Sequence, residues 1–549
     1  MNMSFRTSLL NYFCQRDRVW VLSLFAAVCL VYLPFLSSPF VFDDINFFIG
    51  DRPEYYTSSL FRLDLRWLPF ASMGWTYAVF SDVQPHFYRL GSLLLHAANA
   101  IALFYLLRQL VTAVLPEKDG AREVIWGSWF GALIFALHPV AVYAAGYMIQ
   151  RSILMATLFT LLMQLAYLRS LLTGQKRWLA LAVLAYFLAC FSKEHSVLAP
   201  TALAALTILL RNQNQASRTA LWATWGAFTA VGLLVILRAK GVIGSPYEVG
   251  ATALFEQQSI VESTPMLHLL SVLTQAGLFF KYLMLWLLPN PAWMSVDMRE
   301  SIVASIGEWR GLLGAAAFLA YGLIAFRLLL RGGAAGLVGF ALLCPWSQFW
   351  LEFSSIRVQE IFVLYRSYLW LPGAMLLIPL LLAKWPGRRT WFALGLAVVL
   401  LVPLSLNRLW VFSDDYRLWD DAAKLLHTGE EPQASRIYYN RARAAAHSGK
   451  WEAAAMGYEK AVARNFKEDP IMLHDLGVAY FNTKRYEEAL VQFDKAIALE
   501  PEYAKAYFDR GMTLKMLKQD DLAMQQMKKS CELKYAMACV IVKLAPPKK

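Results

Sequence analysis

Residues 470–501 read PIMLHDLGVAYFNTKRYEEALVQFDKAIALEP, and this stretch decides how the C-terminal part of the chain folds. Leu476, Gly477 and Tyr480 recur at helical spacing, Ala489, Phe493 and Ala496 repeat the pattern, and Pro501 closes the second segment. The same slots hold Arg441, Ala442, Ala445, Ala454, Tyr458 and Ala461 one unit earlier, and Arg510, Gly511, Leu514, Ala523 and Met527 one unit later, 34 or 35 residues apart. Small residues let paired helices approach, and rings fill the space between units. The spacing predicts three helical hairpins, at about 435–469, 470–503 and 504–537, with 536–544 as a capping helix. Such a stack holds a peptide or partner protein on its concave face. Tyr480 and Tyr507 are the candidate contacts there, although core packing is the simpler account of rings at these positions.

Upstream the composition changes. The chain has 549 residues, 58% hydrophobic, 14% aromatic and 17% charged, too apolar for an ordinary soluble enzyme. Runs of near-spanning length lie at about 19–41, 90–107, 124–147, 152–168, 178–192, 196–210, 219–237, 265–290, 311–330, 332–351, 367–383 and 391–406. Arg6, Arg16 and Arg18 precede the first, and no small-residue cleavage site follows it, which predicts an uncleaved span with a cytoplasmic N-terminus. Counting every run as a span would place Arg327, Arg331, Lys384, Arg388 and Arg389 outside, against the positive-inside rule. Treating 265–290, interrupted by His268, Gln275 and Lys281, as interfacial or re-entrant leaves about eleven spans. The expected fold class is therefore all-α. A polytopic membrane bundle spans 1–409, with a first extracytoplasmic loop at 39–88 and an extracytoplasmic or interfacial segment at 239–310. A linker at 410–433 leads to an α-solenoid of three repeats in 434–549, on the same side as residues 40–53. The net charge of +13 is scattered over short connections, which suits leaflet anchoring rather than nucleic acid.

Directly after the first run comes FVFDDINFFIGDRP, residues 40–53. A carboxylate pair at the mouth of a span is costly unless it meets water, an ion or a substrate, so Asp43 and Asp44 mark either an active-site loop or a solvated helix end. Two acids do not complete a divalent-cation site, and metal dependence stays open at Asp43 and Asp44. The cysteines, at 14, 29, 190, 344, 531 and 539, form no metal-site spacing. Cys531 and Cys539 would lie about 12 Å apart on one unbroken helix and meet only if the chain turns near Leu533, so a disulfide and two free thiols are both open. No glycine-rich phosphate loop is present, which disfavours a nucleotide cofactor. The one N-x-[ST] sequon, Asn2-Met3-Ser4, falls at the cytoplasmic end, favouring a bacterial periplasm over a eukaryotic lumen.

Leu476, Gly477, Tyr480, Ala489, Phe493, Ala496 and Pro501 occupy positions that resemble the tetratricopeptide repeat. Combined with the FDD loop, the chain resembles the GT-C glycosyltransferases, and within them the tetratricopeptide-containing transmembrane O-mannosyltransferases and their bacterial relatives. The resemblance runs through LRWLPF (65–70), PHFYRLGSLLLHAANA (85–100), ALHPVAVYAAGYMIQRSILMA (136–156), CFSKEHSVLAP (190–200), KYLMLWLLPNPAWMSVD (281–297) and VLYRSYLWLPG (363–373). Departures are Trp67 and Leu68 between Arg66 and Pro69, a displaced His86, and Gln150 where Gly commonly precedes the arginine.

The resemblance implies transfer of a sugar from a polyprenyl-phosphate carrier to Ser or Thr hydroxyls of proteins on the extracytoplasmic face, with inversion. Asp43 would be the base, a role worth about 10²- to 10⁴-fold, with Asp44 as helper. The leaving phosphate needs fixed cations, for which Arg66, Arg151, Lys193, Arg238, Lys240 and Arg366 are candidates, with Glu194 orienting Lys193. Each of these cations also suits membrane anchoring. His96 and His138, inside apolar helices, read as structural. The repeats would recruit the acceptor protein, and the whole would sit in a bacterial inner membrane with the repeats in the periplasm. Two other readings are a transferase acting on an envelope glycan or lipid, and a non-catalytic membrane-anchored scaffold for pilus or envelope assembly.

Overall fold

The structure is a computed structural model that describes residues 3–48, 52–58, 64–80, 83–118, 120–241, 244–245, 263–357, 360–426, 431, 433–464 and 469–544. Parts of the expected loop 39–88, of the segment 239–310, of the linker 410–433 and of the first repeat fall outside these residues. Every element among the described residues is helical, with one isolated β-bridge between Met298 and Phe362. The chain forms two compact units, Met1–Asp414 and Asp415–Lys549.

Among the described residues of the first unit eight helices are long and apolar enough to cross a membrane, or ten if each of two bent pairs counts as one span. The expectation of about eleven exceeds this because two runs are short. Lys176–Ser192 has 17 residues and is about 26 Å long, less than a bilayer core of about 30 Å, and Glu194–Leu209 is shorter still. Residues 265–290 differ in the opposite sense, forming the unbroken 24-residue helix Thr264–Leu287, which is apolar enough to span. Its apparent interruptions are bonded side chains. Gln275 Nε2 donates to the Ile361 carbonyl at 2.7 Å, His268 Nε2 lies 2.6 Å from the Phe353 carbonyl, and Lys281 pairs with Glu300.

One bent pair, Arg122–Ala136 and Pro139–Ala145, turns by 61° at His138. Pro139 excludes helical backbone from His138, which instead caps the second helix through Nδ1, accepting from the Val140 N–H at 3.2 Å. Its Nε2 lies 3.0 Å from the Trp286 carbonyl, and His96 bridges Tyr368 at 2.7 Å and the Ala136 carbonyl at 2.9 Å. The last long helix, Arg388–Phe412, ends beside the second half of this pair. Phe412 meets Tyr143 ring to ring at 5.3 Å, and Arg408 Nη1 donates to the Met294 carbonyl at 2.9 Å. The chain therefore leaves the first unit beside Tyr143.

The second unit begins one helix earlier than the repeat pattern implies. Within the expected linker 410–433, Asp415–Lys424 is a helix that packs on Ala434–His447, where Asp420 pairs with Arg441 at 2.7 Å and Lys450 sits 3.8 Å over the Tyr416 ring. Three hairpins follow: Ala434–His447 with Trp451–Val462, Pro470–Asn482 with Tyr486–Leu499, and Ala504–Met516 with Asp520–Glu532. The helix Ala536–Leu544 comes last. Gly477 is required by packing, since an added Cβ would lie 2.6 Å from the Phe493 ring. The turn after Glu532 brings Cys531 and Cys539 to a Cα separation of 4.6 Å, and they form a disulfide.

Each hairpin turns through a left-handed residue at the same register: Gly449 (φ 69°), Lys484 (φ 62°) and Lys518 (φ 61°). Glycine suits this conformation, whereas a side chain there costs about 1 kcal/mol. In a fragment spanning 415–549, Lys484→Gly should raise stability in urea by about 1 kcal/mol and Gly449→Ala should lower it by a similar amount. Unchanged midpoints would show that these turns carry no strain.

Candidate functional site

The segment Phe42–Phe48 folds as short 3₁₀ turns, entered through Phe42 in the left-handed region at φ 54°. A bulky residue there is uncommon and marks a loop held by its surroundings. Asp44 is fully buried. One carboxylate oxygen accepts the Ile149 N–H at 2.8 Å and the other the Val41 N–H at 3.2 Å. Arg89, also buried, donates Nε to the Ser38 carbonyl at 2.9 Å and its terminal nitrogens to the carbonyls of Gly146 and Pro39. Burial pushes the Asp44 acid up to about 6, against the pull of Arg89 and of the N–H groups of Ile149, Val41 and Met148. Asp44 and Arg89 thus fasten residues 38–44 to residues 146–149.

Asp43 is only half-buried, and its N–H donates to the Tyr147 hydroxyl at 3.1 Å. The two aspartates therefore stand in different environments. Asp44 has both oxygens engaged by backbone donors, while Asp43 is half-buried. Among the described residues no group of three or more His, Cys, Asp and Glu is arranged to hold a metal ion. The engaged oxygens of Asp44 make the aspartate pair a poor fit for one.

A second group of charges gathers from distant parts of the chain. Arg66, left-handed at φ 63°, grips Glu194 with two nitrogens at 3.0 and 2.5 Å. His195 lies 3.5 Å from Glu194 and 3.8 Å from Glu352. Glu352 pairs with Arg366 at 3.0 Å and Arg357 at 3.6 Å, and Arg366 reaches Glu360 at 3.1 Å. Lys193 stands apart from this pairing. It is 4% exposed, its ammonium lies 5.8 Å from the Tyr365 ring, and among the described residues no carboxylate is within ion-pair distance of it. Burial first, then the nearby Arg66, lowers its pKa to about 7, with Glu194 opposing. Tyr365 and Tyr147 approach at 6.5 Å between rings, which links the lysine to the aspartate loop.

The remaining expected site residues are placed elsewhere. Arg151 is buried and donates to the Tyr88 carbonyl and, at 3.1 Å, to Ser72 Oγ, joining three helices rather than the charge group. Arg238 and Lys240 are exposed at the end of Arg218–Arg238, with no described ion pair. Tyr480 is buried, donates to Glu459 at 3.0 Å and lies 4.1 Å beneath Arg485, while Tyr507 is half-buried. Sequence reasoning did not single out Arg89, Tyr147, His195, Glu352, Arg357 or Glu360. An arginine at the start of an apolar helix and a lone acid ending an apolar run were the available signals for Arg89 and Glu352.

Residues 477–517 match the family model for the TPR repeat. The crystal structure of MamA is 20% identical over 29% of this chain and 85% of that chain, with a TM-score of 0.20. A chain in the crystal structure of the APC/C hetero-tetramer Cut9–Hcn1 is 14% identical over 90% of each chain, with a TM-score of 0.23. No curated protein matches. TPR repeats generally mediate protein–protein interaction, so the second unit is a scaffold suited to a protein partner.

Arg89→Met should remove the donors to three carbonyls and leave Asp44 buried without its counter-charge. The expected loss is about 3–5 kcal/mol, read as a lower thermal midpoint of the detergent-purified protein. A midpoint within 1 °C of the wild type would contradict the clamp.

Proposed function

We propose that this chain is a membrane glycosyltransferase that moves a sugar from a polyprenyl-phosphate carrier to Ser or Thr hydroxyls of proteins on the extracytoplasmic face. The observation that carries the reading is Lys193, a buried cation with no carboxylate at ion-pair distance among the described residues, linked to Asp43 through Tyr365 and Tyr147. A buried ammonium left without a counter-charge is costly, and an anionic ligand supplies one. A carboxylate on one side and a cation on the other are what sugar transfer from a phosphate needs. The acceptor oxygen attacks the anomeric carbon as Asp43 takes its proton. The bond from that carbon to the phosphate oxygen breaks, and the departing phosphate carries its added charge toward Lys193. Attack opposite the leaving group inverts the anomeric centre. Arg66 and Arg366, tied to Glu194, Glu352 and Glu360, hold the surroundings of Lys193 in place.

Two observations support an extracytoplasmic site served by the repeats. The last helix of the first unit ends against Tyr143, in the helix that precedes Tyr147, whose hydroxyl bonds the Asp43 N–H. The Cys531–Cys539 disulfide suits an oxidising compartment such as the periplasm. The TPR unit would then recruit the acceptor. An envelope glycan or lipid acceptor shares the same donor chemistry, and deleting 434–549 separates the two: protein modification is lost and transfer to a small hydroxyl acceptor survives. A non-catalytic scaffold requires that Asp43→Asn change nothing.

With the full-length protein in liposomes and a radiolabelled polyprenyl-phosphate hexose, Asp43→Asn should lower transfer by about 10²- to 10⁴-fold at unchanged protein level. Activity equal to wild type would refute the base assignment. Donor affinity should also fall as pH rises through about 7, because Lys193 is charged below that value and neutral above it. Lys193→Arg, charged throughout, should flatten that profile, whereas Lys193→Met should weaken donor binding at every pH. A wild-type profile that is flat from pH 6 to 9 would contradict the phosphate contact.

A further inference from the structure

Tyr147 is 3% exposed and stands where the two halves of the site meet. Its hydroxyl oxygen accepts the Asp43 N–H at 3.1 Å, its ring lies 6.1 Å from that of Phe42, and its other face approaches Tyr365 at 6.5 Å. Phe42 is the strained residue through which the aspartate loop is entered, with φ 54°. The clamp made by Asp44 and Arg89 fixes this loop before Phe42, through Ser38, Pro39 and Val41, and at Asp44 itself. Within that frame, Tyr147 contacts both residues of the intervening pair, by packing on Phe42 and by bonding to the backbone of Asp43.

We propose that Tyr147 is the positioning residue for the Asp43 carboxylate, holding the strained Phe42–Asp43 backbone in the one conformation that aims the carboxylate at the acceptor. The inference rests on the reading of Asp43 as the base. Tyr147 acts through Asp43 and exchanges no proton with substrate. Its bond uses an oxygen lone pair that phenylalanine lacks, so Tyr147→Phe removes the hold while keeping the ring against Phe42 and Tyr365. Small displacements of a catalytic group are costly in rate, so loss of the hold lowers kcat far more than it alters donor binding by the distant cations.

The test uses the full-length protein in liposomes with the same labelled donor, together with backbone hydrogen exchange. Tyr147→Phe should lower kcat about 10-fold or more with the donor KM within about twofold. Amides of residues 41–44 should exchange at least about 10-fold faster, while those of Pro85–Val114 stay protected. A kcat within about twofold of wild type, or unchanged exchange at 41–44, overturns the proposal. Faster exchange throughout the helices, which is what a merely structural role or misfolding gives, overturns it as well. If Asp43→Asn is inactive while Tyr147→Phe behaves as wild type, only this inference falls. If Asp43→Asn is fully active, the glycosyltransferase reading falls first.

Discussion

The arrangement depends on the exchange between Asp44 and Arg89. Arg89 gathers carbonyls from residues 38, 39 and 146, and Asp44 gathers N–H groups from residues 41 and 149. Each charge satisfies backbone groups that would otherwise be buried without partners, and each stands as the other's counter-charge. The result fastens an irregular loop to the break between two helices, a place where neither strand pairing nor helix packing could hold it. Asp43 lies within the loop that this fastening holds.

The two neighbouring aspartates therefore divide their roles by environment. One is enclosed and spent on backbone donors, and the other is half-buried. The cations divide in the same way. Arg66, Arg357 and Arg366 are matched by Glu194, Glu352 and Glu360, which makes a nearly neutral network able to lie in an apolar surrounding. Lys193 is the buried cation of that neighbourhood with no carboxylate at ion-pair distance among the described residues. Paired charges supply rigidity, and in the proposed reaction Asp43 and Lys193 supply the chemistry.

Much of this was legible in the residues, for physical reasons that differ by region. The repeat period of Leu476, Gly477 and Tyr480 is a local packing requirement, and it predicted the hairpins of the second unit. The helix Asp415–Lys424 was missed because it carries no repeat signature and declares itself through contacts such as that of Asp420 with Arg441. Asp43, Asp44, Arg66, Lys193, Glu194 and Arg366 could be named as candidates, but their pairing could not. The Arg66–Glu194 bond joins residues 128 apart, and periodicity carries no information at that range. Polar residues in 265–290 looked like a broken span because their partners, at 353 and 361, are likewise distant in sequence. Arg89 was passed over for the same reason, as its three acceptors are backbone atoms that composition does not reveal.

The proposed activity is a modification of other proteins. It is tested most directly by intact-mass analysis of envelope proteins from cells with and without this chain. The account predicts at least one envelope protein that is lighter, by a hexose-sized increment or a multiple of it, when the chain is absent. Identical masses in the two samples would contradict it.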